Sequence, residues 1–235
     1  MKTRIYFNEV VTRDGLQNEA EWVEVDAKVA LIDELGACGY AKIEVTSFFS
    51  PTAIAMLRDA EEVMGRLRRV PGACPARVRR YIHRAGAQSP RRRAGAERAL
   101  ESRADELNLV LSASEILILD NPRMPRANSF TALTEVVRTV GAHAAVNVSL
   151  SCSFGCAMES EVVVAELQRW AQSFADLSVR GLTLCDTTGM AHPAQVRQVF
   201  EALQARFHHP TAPPHRRAWR HCDPGSPRGC EEGHR

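Results

Sequence analysis

The sequence predicts an α/β fold with a parallel sheet and crossover helices, on three observations. Short β-rich runs alternate with longer runs whose apolar residues recur at helical spacing, the pattern of successive βαβ units. Four polar clusters fall at the C-terminal ends of those β-rich runs. The 235 residues, 45% apolar and 25% charged, suffice for one large α/β domain or two small ones.

Residues 4–11 alternate loosely and are rich in β-formers, so they read as a first strand ending at Arg13-Asp14. Val25, Val29, Leu31, Ile32 and Leu35 recur at helical spacing, and Gly36 and Gly39 signal the stop. A second strand runs from Tyr40 to Thr46. Ser47 to Pro51 then loop into a helix that turns Ala55, Met56, Ala60, Val63 and Met64 inward. A third strand is due near residues 74–84, but this stretch carries arginines where a buried parallel strand should be apolar, and 85–96 has no period.

Order returns with a helix over about 94–103 and a fourth strand from Glu106 to Leu111. A helix bearing Phe130, Leu133, Val136, Val137 and Val140 precedes a fifth strand, Ala145 to Ser151. Val163, Val164, Leu167, Trp170, Phe174 and Leu177 mark the next helix, before a sixth strand from Gly181 to Leu184. A last helix spans about 193–206. Beyond Phe207 the mixture of Pro, Arg, His and Gly predicts no buried element. The expected organisation is therefore a barrel-type domain over 1–206, disrupted over 70–95, followed by an irregular tail over 207–235.

Composition excludes several classes. No apolar run approaches the roughly 18 residues of a membrane span, and no signal-peptide core precedes the first strand. Seven cysteines without a CxxC pair suit reduced thiols, so a cytoplasmic location is expected. A net charge of +2 does not imply a nucleic-acid partner. Arginines do crowd residues 66–93 and the tail, which would give salt-dependent, sequence-independent affinity, but no interleaved aromatic platform accompanies them. The spacing of His215, His221, Cys222 and Cys230 fits no common zinc pattern.

Four polar clusters sit at strand C-termini: Arg13-Asp14-Gln17, Glu44 with Thr46-Ser47, Ser151-Cys152, and Asp186-Thr187. In a parallel α/β barrel those ends converge on one mouth, which makes the clusters a candidate active site. Simpler readings stand beside it. Asp14-Gly15 suits a turn, Glu44 suits a buried partner for Arg13, Asp186 suits a helix N-cap, and Cys152 and Cys156 suit small apolar fillers.

The string Arg13-Asp14-Gly15-Leu16-Gln17-Asn18-Glu19 resembles the signature of the 3-hydroxy-3-methylglutaryl-CoA lyases, metal-dependent lyases on a TIM barrel. Ile43-Glu44-Val45-Thr46-Ser47-Phe48, Ser112-Ala113-Ser114-Glu115, Ser151 to Cys156 and Leu184-Cys185-Asp186-Thr187-Thr188-Gly189 resemble that family's strand ends 2, 4, 5 and 6. The resemblance implies an incomplete (β/α)8 barrel, with strand 3 degraded and strands 7 and 8 missing. It implies cleavage of 3-hydroxy-3-methylglutaryl-CoA to acetyl-CoA and acetoacetate, a step of leucine degradation, with Mg²⁺ or Mn²⁺ as cofactor and an acyl-CoA as partner. A homodimer is among the assemblies it allows; no membrane or nucleic acid is expected.

By the same resemblance Asp14 would bind the metal, and Arg13 would polarise the thioester oxygen and hold the developing enolate. Glu44, Gln17 and Asp186 would orient the arginine and the substrate hydroxyl, and Thr46 and Ser47 would line the substrate site. The family pattern also calls for His-x-His on strand 7, an asparagine on strand 8 and a glycine-rich loop with a catalytic cysteine. After Asp186 no two histidines are separated by a single residue, and neither Cys222 nor Cys230 lies in such a loop. The chain thus reads as a truncated or frame-disrupted member with impaired activity. A related reading is a Claisen-type synthase joining 2-oxo acids to acetyl-CoA, which shares the Arg-Asp-Gly start; a distant one is an inactive fragment acting as a basic nucleic-acid-binding module.

Overall fold

A computed structural model describes residues 7–48, 54–67, 78–82, 101, 104–114, 126–156, 162–207 and 219–222. Its strands are β1 Asn8–Glu9, β2 Lys42–Ser47, β3 Val78–Ile82, β4 Glu106–Ser112, β5 Ala145–Ser151, β6 Gly181–Asp186 and β7 Trp219–Cys222. Its helices are α1 Val25–Ala37, α2 Ala60–Arg66, α3 Arg126–Val140, α4 Val164–Asp176 and α5 Pro193–Phe207. Strand neighbours follow chain order, β1-β2-β3-β4-β5-β6-β7, and the registered pairs are parallel. The fold class is that of a partial (β/α)8 barrel, with no eighth strand among the described residues.

By contacts the residues form two compact units. The first holds β1, β2, β3 and the start of β4 through Asn108; the second takes β4 from Leu109, β5 from Val146, and β6 and β7.

In the first unit every residue of β2 is buried. Up to the register shift after Glu44, alternation puts Ile43 on one face and Lys42 and Glu44 on the other. The apolar face serves the helices α1 and α2, which pack on β2. The polar face closes on itself: at the N-terminal ends of β2 and β4, Lys42 Nζ donates to Glu106 Oε2 at 2.8 Å and to Oε1 at 3.1 Å. On α1 the stripe Val25, Lys28, Val29, Ile32 follows the i, i+3, i+4, i+7 rule, but one member is a lysine. Lys28 is 3% exposed; its Nζ donates to Met56 O at 2.7 Å and to Asp59 Oδ2 at 2.8 Å. Its charge also lies 4.0 Å from the centroid of the Trp22 ring.

In the second unit Asn147 to Leu150 register with Gly181 to Leu184. Leu109, Leu111, Val148, Leu150 and Leu184 are buried. The α3 stripe of Ser129, Ala132, Leu133, Val136, Val137 and Val140 and the α4 stripe of Leu167, Trp170, Ala171 and Phe174 are buried too. Phe130 ties those helices together, with ring centroids 5.4 Å from Trp170 and 5.2 Å from Phe174. Gln168 Nε2 donates to Ala202 O at 3.0 Å, which joins α4 to α5.

Three stretches add detail to the expected layout. The first strand ends at Glu9, before the expected Val11: Glu9 Oε1 accepts from the backbone N–H groups of both Val10 and Val11 at 2.8 Å, so those groups leave the ladder and the chain turns. The stretch expected to be a degraded third strand does pair with β2 as five residues, Val78–Ile82, with a register shift between Glu44 and Thr46. The tail expected to be irregular supplies Trp219–Cys222 beside β6, in the place of a seventh strand. Both strands are possible because parallel pairing uses main-chain groups of the neighbour, which a polar sequence still provides. Of the helix expected at 94–103 only Glu101 lies among the described residues, and it is helical. No helix among the described residues is long and apolar enough to cross a membrane.

Candidate active site

The turn after β1 is what brings the first cluster together. Val11–Gly15 forms a single wide helical turn in which the Leu16 N–H reaches back to Val11 O, five residues away, and Leu16–Asn18 continue as a 3₁₀ turn. Such π-type turns recur at functional sites because they re-aim side chains within a short span. Gly15 fits closely there: a Cβ would lie 2.8 Å from Val11 Cγ2, so the Val11 side chain would have to shift.

The result is a closed polar network at the C-terminal end of β2. Arg13 Nε donates to Glu44 Oε1 at 3.0 Å, and Arg13 Nη1 donates to Asp14 Oδ1 at 2.7 Å. Gln17 Nε2 also donates to Asp14 Oδ1, at 3.0 Å, while Gln17 Oε1 accepts from Arg13 Nη1 at 3.4 Å. Thr12 Oγ1 donates to the Glu44 carbonyl at 2.6 Å and fixes the turn to the strand. Arg13 and Glu44 are 6% and 4% exposed. A buried guanidinium between two carboxylates keeps its charge where water cannot screen it, and so can act on a substrate oxygen. Thr46 and Ser47, at the end of β2, are buried at 2% exposure. The sequence-predicted residues Arg13, Asp14, Gln17, Glu44, Thr46 and Ser47 therefore share one unit and one strand end.

Asp186 belongs to the second unit, at the end of β6. Its carboxylate accepts from the N–H of Met190 at 3.0 Å and from that of Ala191 at 3.2 Å, so it braces the loop before α5. Alongside it the loop after β5 is laced to the loop after β6. Cys152 N–H donates to Thr187 Oγ1 at 2.9 Å, Ser153 N–H to Cys185 O at 3.0 Å, Thr188 Oγ1 to Gly155 O at 3.1 Å and Gln195 Nε2 to Phe154 O at 2.8 Å. Cys152, fully buried, sits at φ 56°, a left-handed conformation that non-glycine residues adopt at a cost. Ser112 and Ser114 form a local turn at the end of β4, Ser112 Oγ donating to Ser114 O at 2.9 Å.

Sequence reasoning did not single out Thr12, Lys28 or the Lys42–Glu106 pair. Lys28 carried a readable signal, a lysine inside an apolar helical stripe. The others depend on contacts between distant residues. Away from this cluster, the Glu9 carboxylate beside Tyr40 raises the Tyr40 phenol above the ordinary value of 10.0.

Among the described residues, the groups around Asp14 do not make up a divalent-cation site. No group of three or more His, Cys, Asp or Glu that could hold a metal occurs among the described residues. A hard cation of the Mg²⁺ or Mn²⁺ type takes about six oxygen or nitrogen ligands, several of them from protein in a tight site. The histidines at 208, 209, 215 and 234 lie outside the described residues, and His221 is described only as strand backbone.

Comparison with known proteins places these clusters in a family. The family model for HMGL-like proteins matches residues 4–215. Hydroxymethylglutaryl-CoA lyase YngG of Bacillus subtilis is 35% identical over 205 residues, 87% of this chain and 65% of that protein. The 3-hydroxy-3-isohexenylglutaryl-CoA/hydroxy-methylglutaryl-CoA lyase of Pseudomonas aeruginosa is 31% identical over 196 residues, 83% of this chain and 62% of that protein. The chain thus spans a little under two thirds of the length of these relatives. A solved HMG-CoA lyase from Acinetobacter baumannii, in complex with coenzyme A and 3-methylmalate, superposes with a TM-score of 0.78 at 33% identity, covering 92% of this chain and 74% of that one. With its strand-end clusters all inside the matched stretch, the chain belongs to the HMGL-like family.

Proposed function

We propose that this chain carries the enolate-stabilising part of a carbon–carbon lyase for 3-hydroxyglutaryl-CoA thioesters, 3-hydroxy-3-methylglutaryl-CoA foremost. The observation that carries the reading is the buried Arg13, gripped by Glu44 and Asp14 at a strand end of an HMGL-like chain. The two relatives' names differ in the 3-alkyl group and share a tertiary alcohol on a glutaryl thioester. That shared chemistry defines the substrate class.

In the retro-Claisen step the tertiary hydroxyl loses its proton as its oxygen becomes the ketone of acetoacetate. The bond between the carbinol carbon and the thioester α-carbon breaks, and its electron pair passes into the thioester enolate. Protonation at that carbon gives acetyl-CoA. Arg13 would hold the enolate oxygen, an interaction stronger in the transition state than in the ground state and worth about 10²–10³ in rate. Glu44 is a positioning residue: its bond to Nε fixes the plane of the guanidinium. Gln17 holds Nη1 and Asp14 in register. Thr46 and Ser47 would line the substrate side of β2, and Asp186 would brace the loop after β6. No His-x-His occurs after Asp186 in this sequence, so impaired, slow turnover is expected of the chain as written. The thiols of Cys38, Cys152, Cys156 and Cys185 suit a reducing, cytoplasmic setting.

The test is to supply 3-hydroxy-3-methylglutaryl-CoA, or a 2-oxo acid with acetyl-CoA, and follow acetoacetate and free CoA respectively. Slow acetoacetate formation that Arg13→Gln lowers by about 10²–10³ is expected. Free CoA from the 2-oxo acid pair would point to a synthase instead, and acetoacetate formation indifferent to Arg13, or absent, would end the proposal.

A further inference from the structure

We infer that in this chain Asp14 is the ion-pair acceptor that holds Arg13 and Gln17, and that the first-strand cluster is electrostatically complete without a divalent cation at Asp14. Two donors converge on one oxygen: Arg13 Nη1 at 2.7 Å and Gln17 Nε2 at 3.0 Å both reach Asp14 Oδ1. The amide of Gln17 is fixed in that sense because its own oxygen accepts from the same Nη1 at 3.4 Å. A cation bound through Oδ1 would have to displace a guanidinium and an amide, and would then face the guanidinium's charge across a few ångströms of poorly screened interior. Oδ2 remains, and among the described residues no cluster of further His, Cys, Asp or Glu ligands joins it; a single protein oxygen does not hold a hard cation tightly.

The arrangement is also held from behind. Arg13 cannot swing away from Asp14 without breaking its bond to Glu44, 3.0 Å away and 4% exposed. The Asp14 carbonyl is tied down by Asn18 Nδ2 at 2.9 Å, so the turn resists moving the carboxylate outward. A carboxylate built as a metal ligand and a carboxylate built as an ion-pair acceptor differ in how the metal-free protein responds to their loss. Neutralising an empty ligand next to Glu44 relieves repulsion, whereas neutralising an acceptor strips Arg13 of a partner.

The experiment uses the whole chain and needs no turnover, so its result is independent of whether the lyase reading stands. Mn²⁺ is titrated into the wild type and Asp14→Asn while the electron paramagnetic resonance signal of free Mn²⁺ is followed, and melting is recorded in EDTA. Superimposable Mn²⁺ curves are expected, whether both chains bind none or both bind the ion elsewhere. In EDTA the melting temperature of Asp14→Asn should fall by about 2–8 °C. One equivalent of Mn²⁺ held by the wild type and lost in Asp14→Asn would overturn the inference, as would an Asp14→Asn melting temperature in EDTA equal to or above the wild-type value. Should Asp14→Asn not fold, Gln17→Ala, which removes one donor and keeps the carboxylate, should fold and melt lower than the wild type. An unchanged melting temperature in that variant would then count against the inference.

Discussion

Lys28 shows how a single residue can be misread by pattern alone. It stands where α1 calls for an apolar side chain, and its ammonium is neutralised by Asp59 and capped by the Met56 carbonyl, with both partners' side chains under a tenth exposed. Removing one member of such a pair strands the other charge, at a cost of about 3–5 kcal/mol, whereas replacing both with apolar groups is often close to neutral. Urea denaturation should therefore find Lys28→Met strongly destabilised and Lys28→Met with Asp59→Leu largely recovered. A double variant as unstable as the sum of its single changes would show that the pair is not the reason Lys28 is buried. Arg13 and Glu44 were legible in the sequence because each sits beside other chemistry in a short string. Lys28 and Asp59 are 31 residues apart, with ordinary neighbours, and no local pattern links them.

At the scale of elements, long stripes were read correctly and short turns were not. The helices α1, α3, α4 and α5 and the strand β5 follow the sequence periodicity, because burial of one face acts over many residues at once. The end of β1 depends on one carboxylate, Glu9, turning back on two N–H groups, an effect too local for periodicity to register. The loop after β5 has the same character, since nothing in Ser151-Cys152-Ser153 announces a left-handed residue. The φ of 56° at Cys152 yields an inverted order of substitutions. Cys152→Ala loses buried sulfur and keeps the strained backbone. Cys152→Gly loses slightly more buried surface but relieves strain of about 1 kcal/mol or more. Chemical denaturation should rank glycine as the milder change, the reverse of the order at a helical site. Alanine proving milder would mean that packing, and not the backbone, governs this turn.

Across the whole molecule, thiol chemistry offers a check on where the described cysteines lie. Cys38 is exposed, and Cys152, Cys156 and Cys185 are buried. Labelling of the native chain with a thiol reagent, mapped by peptide mass, should modify Cys38 first and reach the other three only as the protein unfolds. Early labelling of Cys152 or Cys185 would contradict the laced loops after β5 and β6.

The strand–helix alternation, the family and the strand-end clusters were determined by the sequence itself, because each is written in contiguous residues whose spacing or order carries the signal. The tertiary structure decided the rest. It recruited Val78–Ile82 and Trp219–Cys222 as strands against the sense of their composition, because a neighbouring strand offers main-chain partners that composition does not encode. It also placed two donors on one oxygen of Asp14 and a carboxylate behind Arg13, because hydrogen-bond geometry is set where distant segments meet and cannot be read from either segment alone.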